Sequence, residues 1–220
     1  MAVDVGAHQG LYSKLCATRF GSVAAIEPVP ELANWLRHSL PDVCAVHQVA
    51  AGWRDGRGIL RVPTTIYNRD YSLATLSLHN IEMSDTIGFV SVEVEERRLD
   101  TLLHTGDRRI AFIKIDCEGY ENRVLEGTAH ILAKDRPILL IEIEKRHNPE
   151  FQEVFLQLPK LGYSPYEFYE GGFHECTADV VEEAYGMLKR FNLLVGDNFS
   201  RRLEDLGLRY RNNFFFLPHC

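Results

Sequence analysis

The chain reads as an α/β protein built on a mainly parallel sheet, and three segments carry that prediction. Val3-Asp4-Val5-Gly6-Ala7-His8-Gln9-Gly10-Leu11-Tyr12-Ser13 is a short apolar strand, a glycine-pinched turn and a helix start. One βαβ spacing further on, Ser22-Val23-Ala24-Ala25-Ile26-Glu27-Pro28 is a second short apolar strand that ends in a carboxylate. Ile110 to Glu121 is a third, an apolar run bounded by Asp116 and Gly119, of the kind buried on both faces of a parallel sheet. In open α/β sheets ligands bind beyond the carboxyl ends of the strands, where strand order reverses. Asp4, Glu27, Asp116 and Glu118 are therefore expected to face one cleft.

The first turn discriminates among ligands. Gly6 and Gly10 let the backbone turn sharply and approach a ligand closely, because neither carries a Cβ. A dinucleotide fingerprint needs glycines two and five positions after the first, where this chain has His8 and Leu11; a P-loop needs a glycine where Leu11 stands. What remains is Asp-x-Gly-x-x-x-Gly. Its acid is an awkward neighbour for a pyrophosphate and a suitable one for a cation such as the sulfonium end of S-adenosylmethionine. A plain βα turn is the competing reading. Glu27 stands where nucleotide-binding α/β folds present an acid to the ribose hydroxyls, with an exposed helix-capping role as its alternative. Tyr12 and Ser13, at a helix start that favours an anion, are candidates to meet the cofactor carboxylate; Tyr12 is equally readable as a packing residue.

The remaining elements follow in order. Leu11 and Leu15 mark a first amphipathic helix, and Leu32, Trp35, Leu36 and Leu40 a second that stops at Pro41. Val43 to Ala51 reads as a third strand. Gly58 to Val62 and Phe89 to Arg97 are strand-like, the latter alternating Val90, Val92 and Val94 with Ser91, Glu93 and Glu95, and are expected to pair as a half-exposed antiparallel insertion. Between them, Pro63 to Gly88 is too polar for core and too long for a routine connection, which suggests a binding loop or lid, against a disordered excursion. Ile138 to Glu144 predicts the strand after the third segment. Phe151, Phe155, Leu158 and Leu161 form a helix stripe interrupted near Pro159, Tyr166 to Tyr169 another strand, and Asn213 to Leu217 the last. Ala178 to Arg211 is helical in places, notably Val180 to Phe191, and suggests no function.

Together these residues resemble a known family. Asp4-Val5-Gly6-Ala7-x-x-Gly10-x-Tyr12-Ser13, Ile26-Glu27-Pro28-x-Pro30, Arg98-Leu99-Asp100-Thr101-Leu102 and Ile113-Lys114-Ile115-Asp116-x-Glu118-Gly119-Tyr120-Glu121-x-x-Val124-Leu125-x-Gly127 are similar to the FkbM family of S-adenosylmethionine-dependent methyltransferases. The likeness covers roughly the first two thirds of the chain, and Asn213 to Pro218 resembles the family's closing strand. His8 departs from it, standing where the family commonly has Asn. The resemblance implies a Rossmann-like class I methyltransferase fold. Its sheet has seven strands in the order 3-2-1-4-5-7-6, strand 7 antiparallel, here with a β-hairpin and loop insertion between strands 3 and 4. It also implies that Ala50 and Ala51 flank the adenine. The cofactor-binding set is then Asp4, Gly6, Ala7, Gly10, Tyr12, Ser13, Glu27, Pro28, Ala50, Ala51 and Asp116.

Composition bounds the rest. At 220 residues one domain spanning 1–220, with an insertion or lid at about 58–98, is the economical reading. Lys and Arg number 24 against 31 Asp and Glu, a net charge of -7 with no long basic run, which disfavours a nucleic-acid partner. Cys16, Cys44, Cys117, Cys176 and Cys220 are odd in number and scattered, which suits reduced thiols and a cytoplasmic protein. No apolar stretch approaches a membrane span, and no signal peptide is evident. Any amino-terminal segment of a longer natural protein would precede Met1.

Methyl transfer from a sulfonium is an in-line displacement, so the protein positions donor and acceptor and removes a proton where the acceptor is a hydroxyl. No metal is intrinsically required. Asp116 and Glu118 are the candidate bases, and a neighbouring Glu142 would raise the pKa of one of them. Positioning is their rival role, Glu118 ordering the turn and Asp116 holding the cofactor's amino-acid end. His79 is the alternative base, since its ordinary pKa suits proton transfer near neutrality. Glu142, Glu144 and His147 bring oxygen and nitrogen to one strand end, but no metal site is read from them. The expected activity is O-methylation of a small-molecule, sugar or lipid-like acceptor. A catalytically silent S-adenosylmethionine-binding domain and an NAD(P)-dependent oxidoreductase are the alternatives.

Overall fold

A computed structural model describes residues 1–64, 71, 74–77, 88–103, 108–190 and 212–219. Along the chain run β1 (Ala2–Val5), α1 (Leu11–Ala17), β2 (Val23–Ile26), α2 (Pro30–Ser39), β3 (Cys44–His47), β4 (Ala50–Ala51), β5 (Gly56–Thr64) and β6 (Gly88–Arg97). There follow α3 (Leu99–Leu102), β7 (Phe112–Ile115), α4 (Glu121–Glu126), α5 (Ala129–Asp135), β8 (Ile138–Glu142), α6 (Gln152–Lys160), β9 (Tyr163–Tyr169), β10 (Gly172–Glu175), α7 (Asp179–Arg190) and β11 (Asn213–Pro218).

The main sheet has the order β10-β9-β11-β8-β7-β1-β2-β3. Its β3, β2, β1, β7 and β8 are parallel, and β11, β9 and β10 pair antiparallel. The expected seven strands in the order 3-2-1-4-5-7-6 are thus corrected to eight. After β9 the chain turns at Glu170 and Gly171, both at positive φ, and folds straight back as β10, adding an edge strand. The central strands β1 and β2 are short and fully buried, and apolar but for Asp4. Across the centre Val3, Ile26, Ile113, Leu139 and Ile141 share one core with Phe214 and Phe216, on which Phe155 of α6 rests edge-on at 5.4 Å. Pro159 occupies the last turn of α6, and Leu161 is exposed, so the buried stripe of that helix ends at Leu158.

The strand expected over Val43 to Ala51 is two strands in different sheets. β3 closes the main sheet, whereas β4 leaves it and pairs in parallel with Glu96 and Arg97 of β6. β5 and β6 pair antiparallel over their whole length, giving a second sheet of order β4-β6-β5. Pro63 is tolerated in β5 because that strand is an edge. Asp100, from the short helix after β6, accepts the free N–H groups of His130 and Ile131 at 3.0 Å each and so caps α5 from a distance, since Thr128 supplies no side-chain cap. Among the described residues no helix is long and apolar enough to cross a membrane.

Candidate active site

β1 and β7 lie side by side where the strand order reverses, and the chain leaves both at the same level. Asp116 N donates to Val5 O at 3.1 Å, while Gly6 N and Ala7 N both donate to Ile26 O at 3.0 and 3.1 Å. Gly6 has φ +74°, and a Cβ there would lie 1.9 Å from the carbonyl oxygen of Asp116. Only a glycine fits. Beyond these strand ends opens a cleft with about 210 Å³ of interior room.

Gly6, Glu27, Pro28, Ala50, Ala51, Asp116 and Glu118 all line this cleft, as do His8, Leu60, Tyr71, Thr75, Leu76, Cys117 and Tyr120. Thr75 runs beside β5, exchanging backbone hydrogen bonds with Arg61, and its hydroxyl donates to Cys117 O at 3.3 Å. That described piece of the insertion therefore roofs the cleft. Tyr120 reaches across to the small sheet, donating to the fully buried Glu96 at 3.1 Å, which Arg54 also contacts at 3.1 Å. His79 lies outside the described residues.

Glu27 is buried, and each of its oxygens already accepts a backbone N–H: Oε2 from His8 at 2.8 Å, Oε1 from Val29 at 2.9 Å. It locks the β1–α1 turn to the start of α2, and each oxygen keeps a further lone pair for a ligand. Burial pushes its pKa up to about 7 in spite of those bonds.

Asp4, Ala7, Gly10, Tyr12 and Ser13 do not line the cleft. Asp4 is buried, its Oδ2 accepting the Ser13 hydroxyl at 2.6 Å, while its Oδ1 has no hydrogen-bond partner among the described residues. Burial raises its pKa, with Ser13 and then Lys114 pulling it back. Ala7 packs with Ala25 and Leu36, and Gly10 sits against the side chains of Leu36 and Leu40. Beside Asp4 in register on β7 stands Lys114, buried, whose Nζ donates to Asp116 Oδ2 at 2.6 Å and lies 4.8 Å over the Tyr12 ring. Burial works against that ammonium, but Asp116, Asp4 and Glu142 outweigh it and raise its pKa. A lysine inside an otherwise apolar strand was the available signal for this residue; Tyr71 and Thr75 fall in the loop read as a binding loop or lid and Tyr120 in the family motif, but no local pattern singled them out.

The carboxylates at the ends of β7 and β8 are differently held. Glu142 takes the Asn212 amide at 2.6 Å, and burial, then Asp116, Glu118 and Glu144, push its pKa up to about 8. Glu144 contacts Arg146 and accepts Asn212 at 3.2 Å. Glu118, at φ +49°, is in contact with His147. Among the described residues no group of three or more His, Cys, Asp or Glu side chains is arranged to hold a metal ion.

Glu121, buried at the start of α4, accepts Gly119 N and Asn148 Nδ2, both at 2.8 Å, and burial lifts its pKa to about 7. A raised folded-state carboxyl pKa contributes stability that is fully present below the unfolded value near 4.5 and is lost as pH rises through 7. Urea midpoints are therefore expected to fall between pH 5 and pH 8, and Glu121→Gln to flatten that slope by an amount on the order of 3 kcal/mol at most. An identical slope in the variant would show that Glu121 ionises freely in the fold.

The family profile for the methyltransferase FkbM domain matches residues 4–165. No curated protein matches the sequence significantly. Among solved structures, the chain is similar to methyltransferase FkbM from Methylobacillus flagellatus, at a TM-score of 0.52 and 16% identity over 98% of this chain and 42% of that one. It is also similar to a precorrin 8w decarboxylase from Methanobacterium thermoautotrophicum, at a TM-score of 0.42 and 13% identity over 98% of this chain and 78% of that one. The first likeness shows the fold, and this chain spans about two fifths of the length of that relative.

Proposed function

The chain belongs to the FkbM methyltransferase family, and from that premise we propose that it moves a methyl group from S-adenosylmethionine to a hydroxyl of a small-molecule, sugar or lipid-like acceptor. The observation that carries this reading is the cleft at the β1–β7 reversal, with a carboxylate at each end. The lining fits a nucleoside carrying a cation. Glu27 has lone pairs free for ribose hydroxyls, Pro28, Ala50 and Ala51 offer an apolar slot for a flat base, and Asp116 and Glu118 supply negative charge. The neutral β1–α1 turn lacks the glycine pattern of a pyrophosphate cradle, which weighs against a nicotinamide oxidoreductase.

When bound, S-adenosylmethionine supplies an electrophilic methyl group on a sulfonium. The chain's own residues do the rest. Glu118 removes the proton of the acceptor hydroxyl, and Asp116, tied to Lys114, fixes the charge at the floor of the cleft. Asp4 and Ser13 brace that floor from beneath, while Tyr71 and Leu76 exclude water from above.

Calorimetry tests the cofactor. Micromolar-scale binding of S-adenosylhomocysteine is expected, and tight binding of NADH with none of S-adenosylhomocysteine would sink the assignment. Transfer of labelled methyl onto a hydroxylated acceptor separates an enzyme from a silent binding domain. Glu27→Ala is expected to weaken the cofactor by roughly 1–3 kcal/mol, the cost of leaving charge-assisted hydrogen bonds unmade. An unchanged dissociation constant would remove Glu27 from the site.

A further inference from the structure

His147 was absent from the candidate catalytic set, yet it is nearly inaccessible, 3% exposed, and its Nδ1 is in contact with Glu118 Oε2. Glu118 Oε1 takes no hydrogen bond from the described residues, and Glu118 lines the cleft. The segment after β8 grips the segment after β7 at two further points. A Cβ on Gly119 would lie 2.2 Å from His147 O, so the two backbones abut. Asn148 holds the Glu121 carboxylate that in turn takes the Gly119 N–H. Resting on the reading of Glu118 as the base, we propose that His147 is a positioning residue of the reaction, anchoring Glu118 Oε2 so that Oε1 faces the acceptor hydroxyl.

The placement of the ring states how it does so. Both ring nitrogens are buried: Nε2 has no partner among the described residues, and Nδ1 has only the close contact with Glu118 Oε2 and a longer one, 3.9 Å, to Glu144 Oε2, neither with regular hydrogen-bond geometry. Packed there, the ring fixes the direction of the Glu118 carboxylate. Every other ionisable group facing Glu118 opposes its charge or is already occupied. Asp116 is bound to Lys114, Glu144 to Arg146 and Asn212, Glu142 to Asn212, and Glu121 to Gly119 and Asn148. Burial raises the Glu118 pKa, Asp116 and Glu144 add to the rise, and the His147 contact pulls it back. Without His147 the base would titrate higher and wander.

The test combines pH profiles with a carboxyl titration. His147→Leu is expected to lower kcat on the order of 10²-fold, the usual cost of a misplaced reacting group, with KM for cofactor and acceptor nearly unchanged. The acidic limb of its profile moves to higher pH. His147→Asn, whose amide nitrogen stands where Nδ1 stood, restores most of the rate. In a Glu118→Gln background His147→Leu costs nothing further. Carbon-13 NMR of Glu118 in the free protein gives a readout independent of turnover: its pKa is expected to be higher in His147→Leu than in wild type, with His147→Asn between. If the leucine variant fails to fold, His147→Gln, whose amide nitrogen lies beyond reach of Oε2, takes its place. An unmoved Glu118 titration, or equal slowing by His147→Leu with and without Glu118, overturns the proposal. A wild-type protein that transfers no methyl group overturns the function proposed above, and the Glu118 titration still decides whether His147 anchors it.

Discussion

Glu118→Gln lowers methyl transfer by ~10² to 10⁴-fold and leaves S-adenosylhomocysteine affinity within about twofold, the expected signature of losing a general base. The two carboxylates after β7 are not equivalent. Asp116 gives one oxygen to the buried Lys114 ammonium at 2.6 Å and is committed to that ion pair. Glu118 is in contact with the His147 ring through Oε2 and lines the cleft. Asp116→Asn is accordingly expected to disturb Lys114 and cofactor affinity more than Glu118→Gln does. Full activity in a strong chelator accompanies this prediction. Activity lost with EDTA and restored by magnesium would assign the carboxylates to a metal, and loss of cofactor affinity in Glu118→Gln would make that residue part of the binding site instead. In either case the search for a base moves to His79.

The second large effect is structural. Gly6→Ala is expected to destabilise the fold by roughly 2–5 kcal/mol, combining the strain of a side chain at φ +74° with the overpacking of a Cβ set 1.9 Å from a backbone oxygen. That is a large part of the roughly 5–15 kcal/mol by which ordinary domains are stable. The obstacle is Asp116 O, backbone of the adjacent strand, so relief requires β1 and β7 to separate at their ends, where the cleft begins. Cofactor binding should be lost with stability. Gly21→Ala, with no atom within 4 Å of the added Cβ, is the control and should leave the urea midpoint nearly unmoved. An unmoved midpoint in Gly6→Ala would mean that the turn has another conformation open to it.

Much of the framework was readable from local pattern. The buried strands announced themselves as short apolar runs because a parallel strand covered on both faces admits little else. Asp100, one residue of the Arg98 to Leu102 motif, caps α5 across the fold, a role that spacing along the chain does not reveal. The break between β3 and β4 opens within His47-Gln48, the one polar pair in Val43 to Ala51, but the choice of partner at Ala50 and Ala51 belongs to β6, far along the chain.

The order of short strands, the glycine-pinched turn after the first of them and the acids at their ends are properties of neighbouring residues, governed by steric freedom at single positions and by side-chain periodicity. They sufficed for the fold class and for the place of the cleft. The partners of those acids are another matter. Glu27 spends a lone pair of each oxygen on His8 and Val29, Asp4 turns down to Ser13, Asp116 turns to Lys114, and Glu118 meets a histidine from the loop after the next strand. Charge in a buried environment is tolerated only where specific donors meet it, and the strands and loops that supply those donors come together only on folding. One line of similar-looking carboxylates thereby becomes a clamp on the first turn, a brace, an ion pair and the proposed base.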